Sequence, residues 1–380
     1  MPHRHPRYPE RMPLPPLVEP VAALSADEAA RTARHLVLAD LGEIGQRRLR
    51  AAHVAVLGAG GLGSPVVLAL AAAGVGTLTV IDDDDVELSN LQRQVLHRLA
   101  DVGAPKIDSA VRAAADLSPE TTVRAVRERL TAENAEELLA SADLVIDGSD
   151  TFETRSVVAA ATERLGIPLV WGVVQEFAAQ VTVFWSRPPA GAAPVVLSDL
   201  YPPGQVGELP TCAAVGVLGA LCLQVGSVLA MEAIKLVAGI GEPLLGRVLL
   251  IDALRGKMSE VPLRPASAPV ESTAPAPENT TAPAPEPPHV AVAALDAEIA
   301  AGAVVLDVRE DSEVAGGMIP GARHVPLAQV LSDPAALAGP ERIVVVCAVG
   351  ARARRAAIAL RTEGADAVVL TGGMSEWNAR

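Results

Sequence analysis

The residues best suited to chemistry in the first part of the chain are a glycine loop and an acidic residue that follows it. The loop Gly58–Gly63 reads GAGGLG, follows an apolar strand-like run and opens a helix-like run. Glycines let the backbone approach a phosphate, and N–H groups at a helix start can donate hydrogen bonds to it. Asp82 ends the next strand-like run, where a carboxylate can accept hydrogen bonds from a ribose. Alone, these features predict a dinucleotide site of the nicotinamide type, and the alternative is a glycine turn without a ligand.

Three further polar segments change the ligand that we expect. Ser89–Gln94 contains an asparagine and an arginine, and Gly103–Lys106 ends in a lysine before a helix-like run. Asp147–Asp150 closes another strand-like run, and Arg155 follows it. Cations offset the charge of a triphosphate, and a free carboxylate can hold magnesium. A nicotinamide enzyme has no use for this combination, so the segments favour an enzyme that cleaves a nucleoside triphosphate.

A second set of reactive residues lies near the end of the chain. The segment Cys347–Arg352 reads CAVGAR and stands between the strand-like run Ile343–Val346 and a helix-like run. A thiol at a helix N-terminus faces aligned N–H dipoles, and both these dipoles and Arg352 would favour the thiolate. Backbone N–H groups of the loop could then hold an anionic persulfide. The segment therefore predicts a sulfur-carrying cysteine, with a buried core cysteine as the alternative.

The elements that must position these residues alternate between strand and helix, which predicts an α/β fold with parallel sheets covered by helices. In the first part the predicted strands are His53–Leu57, Thr77–Ile81, Val123–Val126 and Leu144–Ile146, and the predicted helices are Ser64–Ala73, Ile107–Leu117 and Ala132–Ser141. In the last part the predicted strands are Val304–Leu306, Ile343–Val346 and Val368–Leu370, and the predicted helix is Arg352–Glu363.

A segment rich in proline and alanine, residues 265–289, separates the two parts. It has almost no large apolar side chains, so it cannot bury enough surface to fold and should act as an extended tether. We therefore expect an N-terminal tail at 1–24, a larger Rossmann-like domain at 25–264, the linker at 265–289 and a small α/β domain at 290–380.

Composition excludes several classes of protein. Half of the residues are hydrophobic, which argues against a disordered chain, and the formal net charge of −14 argues against nucleic-acid binding. Three cysteines cannot build a disulfide framework, and no secretory signal is visible, so we expect a cytoplasmic protein. The uncharged stretch Cys212–Met231 is long enough to span a bilayer, but its glycines and the nearby Glu232 favour a buried helix or helix pair and no membrane association.

The combined motifs of the first part resemble the adenylating domain of the ubiquitin-activating superfamily. The resemblance covers residues 25–264, and the nearest group is the prokaryotic adenylyltransferases that serve molybdopterin-synthase and thiamine sulfur carriers. It implies that ATP and Mg²⁺ activate the C-terminal glycine of a small ubiquitin-like carrier ending in Gly-Gly, which gives an acyl-adenylate and pyrophosphate. By the same resemblance, the phosphates would be held by Gly58, Gly60, Gly61 and Gly63.

The resemblance also assigns roles to charged residues. Asp82 would bind the ribose, and Asp150 would bind magnesium. The triphosphate would be neutralised by Asn90, Arg93 and Lys106, of which Arg93 and Lys106 count as catalytic. Arg34 matches an arginine that reaches the phosphates of the neighbouring subunit, which implies a homodimer, although a solvated surface arginine is an equal alternative.

The chain departs from this family's pattern at several positions. Relatives that bind zinc carry two CxxC pairs, but here the first place reads Val196-Leu197-Ser198-Asp199, so we expect no structural zinc. Thr151 stands where an asparagine is usual after the magnesium aspartate. Cys212 aligns with a cysteine that some relatives use to hold the carrier or displace AMP, with an inert thiol as the alternative, whereas Cys222 is expected in the core.

The last part resembles a rhodanese domain over nearly its whole length. The resemblance rests on Leu306–Glu310, Glu313, Gly317–Ala322, Gly372–Met374 and Trp377, together with the loop of Cys347. It implies that Cys347 accepts sulfane sulfur as a persulfide and passes it to a nucleophile, with Arg352 in its loop. Met318 replaces a frequent histidine, and Asp307 and Arg309 are expected to shape the loop as structural partners.

Together the two resemblances predict an adenylyltransferase and sulfurtransferase on one chain. The persulfide of Cys347 would attack the acyl-adenylate, and reduction would release a thiocarboxylate. The sulfur donor would be thiosulfate or a cysteine desulfurase, and molybdenum cofactor, thiamine, cysteine or thionucleoside synthesis all fit. Two alternatives stay open: an NAD-dependent oxidoreductase with a rhodanese appendage, and a non-catalytic carrier-binding module.

Overall fold

The computed structural model describes residues 14–202, 216–265, 287–309, 311–378 and 380, and these residues form two units. The first unit takes the described residues up to 265, and the second takes those from 287 onward. Cys212 and Glu310 lie outside the described residues. Each unit has its own sheet and its own hydrophobic core.

The first unit is built on an eight-stranded sheet in the order β3-β2-β1-β4-β5-β6-β7-β8. The strands are β1 His53–Leu57, β2 Thr77–Ile81, β3 Thr122–Val126, β4 Leu144–Asp147, β5 Leu169–Gln175, β6 Ala178–Phe184, β7 Arg247–Asp252 and β8 Lys257–Pro262. From β3 to β5 neighbouring strands are parallel, and from β5 to β8 they are antiparallel. Because the carboxyl ends of β1, β2 and β4 lie at one edge, the loops that follow them meet there.

Helices cover both faces of this sheet. They are α1 Ala26–Arg31, α2 Ala33–Leu36, α3 Gly42–Ala51, α4 Gly63–Ala73, α5 Lys106–Leu117, α6 Ala135–Leu139, α7 Phe152–Leu165, α8 Leu197–Leu200 and α9 Gly219–Ala238, with 3₁₀ turns at Leu88–Asn90 and Leu99–Asp101. The α/β fold and the order of its first elements are confirmed.

Helix α9 is the one described helix long and apolar enough to cross a membrane, by length and composition alone. It lies in the core of the first unit, where Leu221, Val225 and Leu229 are buried. Its Glu232 is buried as well, and it accepts a hydrogen bond from the Leu244 backbone N–H at 2.7 Å. The expected buried helix is therefore confirmed from Gly219 onward, whereas the Cys212 end of the expected segment lies outside the described residues.

Three boundaries differ from the sequence expectations. The helix expected over 132–141 spans only Ala135–Leu139, because the Asn134 side chain accepts a hydrogen bond from the Thr131 N–H and forms a turn before it. Leu17 donates to the Leu236 carbonyl at 3.1 Å, so packing on the first unit begins before residue 25. His289 pairs with Val369, which places it in the sheet of the second unit.

The second unit has a parallel five-stranded sheet in the order β11-β10-β12-β13-β9. Its strands are β9 His289–Val290, β10 Val304–Asp307, β11 Arg323–His324, β12 Ile343–Val346 and β13 Ala367–Leu370. Its helices are α10 Leu295–Ala300, α11 Asp311–Val314, α12 Leu327–Ser332, α13 Ala351–Thr362 and α14 Gly373–Asn378, with 3₁₀ turns at Val292–Ala294 and Ala335–Leu337. Side chains of β12 alternate between two cores, and this alternation places Cys347 on the same face as Ile343 and Val345.

Candidate active sites

The glycine loop forms one wall of an open cleft at the carboxyl edge of the larger sheet. Gly58 has a φ of +83°, and its N–H donates to the Ile81 carbonyl at 2.8 Å. A Cβ on Gly63 would lie 1.8 Å from the Gly58 carbonyl oxygen, whereas a Cβ on Gly60 would meet nothing closer than 3.6 Å. Gly58, Gly60 and Gly61 line the cleft, but Gly63 lies behind it and allows α4 to pack on the loop. The contact between a Cβ at this position and the Gly58 carbonyl indicates a packing role, and the expected phosphate role of Gly63 stays a prediction.

Asp82 ties the glycine loop to the end of β2. Its carboxylate accepts hydrogen bonds from the Ala59 N–H at 2.7 Å and from the Asp84 N–H at 2.9 Å. Burial raises the pKa of Asp82, while Lys106 and these two N–H groups act in the opposite direction. The carboxylate lines the cleft, where a ribose hydroxyl could reach it, as the sequence predicts.

Two buried residues that the sequence analysis did not single out support the same loop. The Nε2 atom of His97 lies 3.0 Å from the Ala59 carbonyl oxygen, and burial lowers the pKa of His97. Gln94 lines the cleft with only 4% of its surface exposed, and its amide nitrogen lies beside Gly60. Both residues belong to the polar segment after β2, but only the folded turn brings them under the loop.

The predicted cations lie in the cleft, and Asn90 does not. Lys106, the first residue of α5, is 6% exposed and its Nζ donates to the Asp84 carboxylate at 2.6 Å. Arg93 lines the same cleft and donates weakly to the Ser89 carbonyl at 3.3 Å. The Asn90 side chain instead accepts from the Glu87 N–H at 3.1 Å and is buried under its own turn. The Asn90 side-chain oxygen thus helps to shape the turn that carries Arg93, and the expected part of Asn90 in neutralising the triphosphate stays a prediction.

The loop after β4 brings an aspartate to the same cleft, beside the glycine loop. Asp147 is fully buried, and burial raises its pKa. Its Oδ1 accepts from the Ser149 N–H at 2.9 Å and from the Ser149 hydroxyl at 2.6 Å. Arg155 on α7 lines the cleft and donates to the Ser149 carbonyl at 2.9 Å. Asp150, which follows Ser149 in the chain, is exposed in the cleft.

Asp150 meets the chemical requirement for a magnesium ligand. Among the described residues its carboxylate has no hydrogen-bond or ion-pair partner, and Mg²⁺ prefers such hard oxygen ligands together with phosphate oxygens. The carboxylates of Asp82, Asp83 and Asp84 also lie close enough together to hold a metal, and of these Asp82 and Asp84 already accept backbone and Lys106 hydrogen bonds. Asp150 stays the predicted metal ligand of the cleft.

The remaining predicted residues of the first unit take different places. Arg34 lies on the exposed face of α2 and does not line the cleft. Cys212 lies outside the described residues, so the structure says nothing about its role. Cys222 is buried, as expected, but its sulfur also forms part of the cleft wall behind Gly61. Thr151 caps α7, because its hydroxyl accepts from the Thr154 N–H at 3.2 Å.

The sulfur-site cysteine lies at the end of β12, directly before α13. Cys347 is 1% exposed, and its sulfur accepts a hydrogen bond from the Gly350 N–H at 3.1 Å. The carbonyl of Cys347 accepts from the Met374 N–H at 2.8 Å. A Cβ on Gly373 would lie 2.3 Å from that carbonyl oxygen, so α14 can close on the loop only with glycine there. The loop thus holds the thiol beside a backbone donor, as the sequence predicts.

Two ion pairs support this loop from the side of β10. Both guanidinium nitrogens of Arg352 donate to the Glu313 carboxylate, at 2.6 and 2.7 Å. The guanidinium of Arg352 is therefore paired with a carboxylate, and the expectation that Arg352 and the helix dipoles together favour the thiolate stays a prediction. Arg309 binds the fully buried Asp307 at 2.7 Å and the Gly317 carbonyl at 2.7 Å, in keeping with the expected structural pair.

Two families match the chain, one for each unit. The ThiF family matches residues 32–271, and the rhodanese-like domain matches residues 291–380. Together these matches cover both candidate sites.

Named relatives and solved structures agree with these matches. The chain is 42% identical to a probable adenylyltransferase/sulfurtransferase MoeZ of Mycobacterium tuberculosis, and the alignment covers 96% of each protein. It is 45% identical to a sulfur carrier protein adenylyltransferase of Thermus thermophilus, over 63% of this chain and 88% of that protein. Escherichia coli MccB, solved with ATP, has the same fold with a TM-score of 0.54 at 20% identity, over 64% of this chain and 74% of that one.

Proposed function

This chain belongs to the ThiF family and carries a rhodanese-like domain, and from that premise we propose how its two sites act in one reaction sequence. It is an enzyme with adenylyltransferase and sulfurtransferase activities. The protein substrate is a ubiquitin-like sulfur carrier. The cleft adenylates the carrier's C-terminal glycine with ATP, and Cys347 then supplies sulfur to make the thiocarboxylate. Neither an oxidoreductase nor a mere binding module fits these relatives.

The observation that carries the adenylation step is the convergence of Asp82, Lys106, Arg93 and Asp150 on the glycine-loop cleft. A carboxylate oxygen of the carrier attacks the α-phosphorus, the bond from that phosphorus to the bridging oxygen breaks, and pyrophosphate leaves. Carboxylate and triphosphate repel each other, so the two cations lower the barrier by offsetting their charges. Lys106 is held in the cleft by Asp84 at 2.6 Å, with its ammonium group among the residues that line the cleft.

Magnesium and the ribose engage different carboxylates of the same cleft. We propose that Asp150 holds Mg²⁺, which would neutralise phosphate charge when bound. Asp82 accepts the ribose hydroxyls while its two backbone hydrogen bonds keep its carboxylate in place. The Gly58, Gly60 and Gly61 peptides contact the phosphates, and Gly63 keeps α4 close behind them.

The sulfur step uses the persulfide form of Cys347. Its terminal sulfur attacks the carbonyl carbon of the acyl-adenylate, the bond to the AMP oxygen breaks, and AMP leaves. The product is an acyl disulfide between carrier and enzyme. An external dithiol then attacks the Cys347 sulfur, so the carrier leaves as a thiocarboxylate. The second thiol of the dithiol releases Cys347 as a thiol, and the dithiol becomes a disulfide. Cys212 stays our candidate for a cysteine that holds the carrier covalently or displaces AMP.

Several finer points of this proposal concern partners and location. We propose a homodimer in which Arg34, exposed on α2, reaches the phosphates of the neighbouring subunit. The sulfur donor is thiosulfate or a cysteine desulfurase, and the protein acts in the cytoplasm. The carrier belongs to molybdenum cofactor, thiamine, cysteine or thionucleoside synthesis, and the relatives' names do not separate these pathways.

One pair of variants tests the assignment of the two steps. Cys347→Ala should keep ATP–pyrophosphate exchange with a Gly-Gly-ended carrier and lose the thiocarboxylate. Asp150→Asn should lose exchange but still form a persulfide from thiosulfate, because its change lies in the other unit. Intact-mass spectrometry of the carrier and of the enzyme measures both products. Full thiocarboxylate yield from the Cys347→Ala enzyme would refute the sulfur assignment.

A further inference from the structure

We propose that Asp147 and Arg155 hold Ser149 from two sides and thereby fix the carboxylate of Asp150 in the cleft. Both are positioning residues in this proposal, because they act through Asp150 rather than on the nucleotide. The inference rests on the proposed function, specifically on Asp150 as the magnesium ligand. It adds a determinant of metal affinity that is not itself a metal ligand.

The first of the two groups that hold Ser149 is the carboxylate of Asp147. It ends β4 with no exposed surface, and one oxygen accepts both the Ser149 N–H and the Ser149 hydroxyl. These two hydrogen bonds turn the chain sharply at the carboxyl end of the strand. The direction in which the backbone enters Asp150 is thereby set by a group that is anchored in the sheet.

The second side is the guanidinium of Arg155. It is 5% exposed and donates to the Ser149 carbonyl at 2.9 Å, so the peptides on both sides of Ser149 are hydrogen-bonded. That carbonyl belongs to the peptide that joins Ser149 to Asp150. The Asp150 side chain has no partner of its own among the described residues, so its backbone is what positions it.

An aromatic cluster keeps Arg155 from moving into solvent. Its guanidinium carbon lies 5.9 Å from the ring centre of Trp171, within the range of a cation–π contact. Trp171 contacts Phe184 and Tyr201, and Tyr201 contacts Phe152 in turn. The chain has only three Trp, two Tyr and three Phe, and four of them are gathered here, directly behind the loop.

Stability alone explains this arrangement poorly. Asp147 Oδ2 and Arg155 Nε are both buried, and neither has a hydrogen-bond partner in the described structure. Burying incompletely paired charges costs free energy, and apolar residues often serve stability as well or better. The hydrogen bonds that the Asp147 and Arg155 side chains do make all join them to Ser149. A positioning role accounts for that convergence.

The test measures metal binding separately from catalysis. Mn²⁺ is titrated into full-length protein saturated with a non-hydrolysable ATP analogue, and free Mn²⁺ is followed by electron paramagnetic resonance. Arg155→Gln and Asp147→Asn should weaken Mn²⁺ binding about 10- to 100-fold, the range seen when groups that orient metal ligands are removed. In Asp147→Asn, whose altered side chain does not line the cleft, analogue affinity in EDTA should stay at the wild-type value. Arg164→Gln is the matched control, because Arg164 lies on the same helix and pairs with Glu136 at the surface.

A double-mutant cycle separates positioning from a merely structural role. In the Asp150→Asn background, Arg155→Gln should cause no further loss of Mn²⁺ affinity, since the ligand through which it acts is gone. Additive losses would overturn the proposal, and so would wild-type Mn²⁺ affinity in Arg155→Gln. If Arg155→Gln does not fold, Ser149→Ala removes a single hydrogen bond to Asp147, and unchanged Mn²⁺ affinity in that variant overturns it. Wild-type Mn²⁺ affinity in Asp150→Asn itself would instead refute the proposed metal ligand.

Discussion

Gly63→Ala and Gly60→Ala should separate the stability of the glycine loop from its use as a ligand site. A Cβ at position 63 would lie 1.8 Å from the Gly58 carbonyl oxygen, whereas a Cβ at position 60 has the Gln94 amide at 3.6 Å as its nearest neighbour. Non-bonded carbon contacts are favourable only near 3.5 Å, so α4 or the loop must move by more than about 1 Å in Gly63→Ala. Neither can move freely, because Val66 and Val67 on α4 are fully buried.

The size of the effect follows from this collision. Overpacking a well-packed interior typically costs about 1–3 kcal/mol, and the depth of the overlap places Gly63→Ala at the upper end. In a domain of this size each kcal/mol lowers Tm by about 2–4 °C, so we expect a loss of roughly 6–12 °C. Gly60→Ala should change the free energy of unfolding by less than about 1 kcal/mol, because Gly60 needs no left-handed backbone.

Differential scanning calorimetry and nucleotide titration provide the readout. Gly60→Ala should keep its Tm yet lose ATP affinity, because the added methyl lies on the cleft wall that we assign to the phosphates. Gly63→Ala should lower the Tm of the first unit's unfolding transition only. The unfolding transition of the second unit serves as the internal reference. Equal Tm values for Gly63→Ala and Gly60→Ala would refute the packing explanation for Gly63.

Three further predictions concern the sulfur loop, pH and metal content. Glu313→Gln removes the negative charge that holds Arg352 through two short hydrogen bonds. The rate of persulfide formation from thiosulfate should therefore change, while the rate of ATP–pyrophosphate exchange should not. Equal persulfide rates in the variant and the wild type would exclude a role for the Glu313–Arg352 pair. Burial lowers the folded-state pKa of His97 below 6.5, so the unfolded chain binds the proton first and stability should fall as the pH drops below about 6.5. His97→Gln keeps a donor for the Ala59 carbonyl and should make the free energy of unfolding, measured by urea titration, less dependent on pH. A smaller dependence should remain because burial also lowers the pKa of His53. An unchanged pH dependence in the variant would contradict the prediction. Elemental analysis of protein purified without chelator should find no stoichiometric zinc, and one zinc per chain would show that the missing CxxC pairs are replaced by other ligands.

Local patterns predicted the parts of the fold whose causes are local. Alternating apolar and helical runs predicted the strands on either side of the glycine loop, and uninterrupted valines predicted the buried strand before Cys347. The strands Leu169–Gln175 and Ala178–Phe184 were not identified, and neither was the antiparallel half of the sheet that they begin. These two strands form a hairpin around Glu176 and Phe177, which lack the Asn-Gly or glycine signal of a two-residue turn. The parallel ladder between Leu169–Gln175 and Leu144–Asp147 joins more distant segments, which no short window of sequence reveals.

Side-chain roles divide in the same way. The types and order of Asp82, Arg93, Lys106 and Asp150 predicted a triphosphate cleft, because parallel strands carry their loops to one edge of the sheet. The sequence could not predict that the Asn90 side chain binds the Glu87 backbone N–H, since an amide can equally well bind a ligand.

What the sequence by itself determined about this protein is its chemistry: two reactive loops, each placed between a strand and a helix by local patterning. The tertiary structure alone decided how those loops are held. Glu313 meets Arg352, and Arg155 meets Trp171, because packing brings separate segments together. The physical reason is that hydrogen bonds and ion pairs act over a few ångströms in space, whatever the separation along the chain.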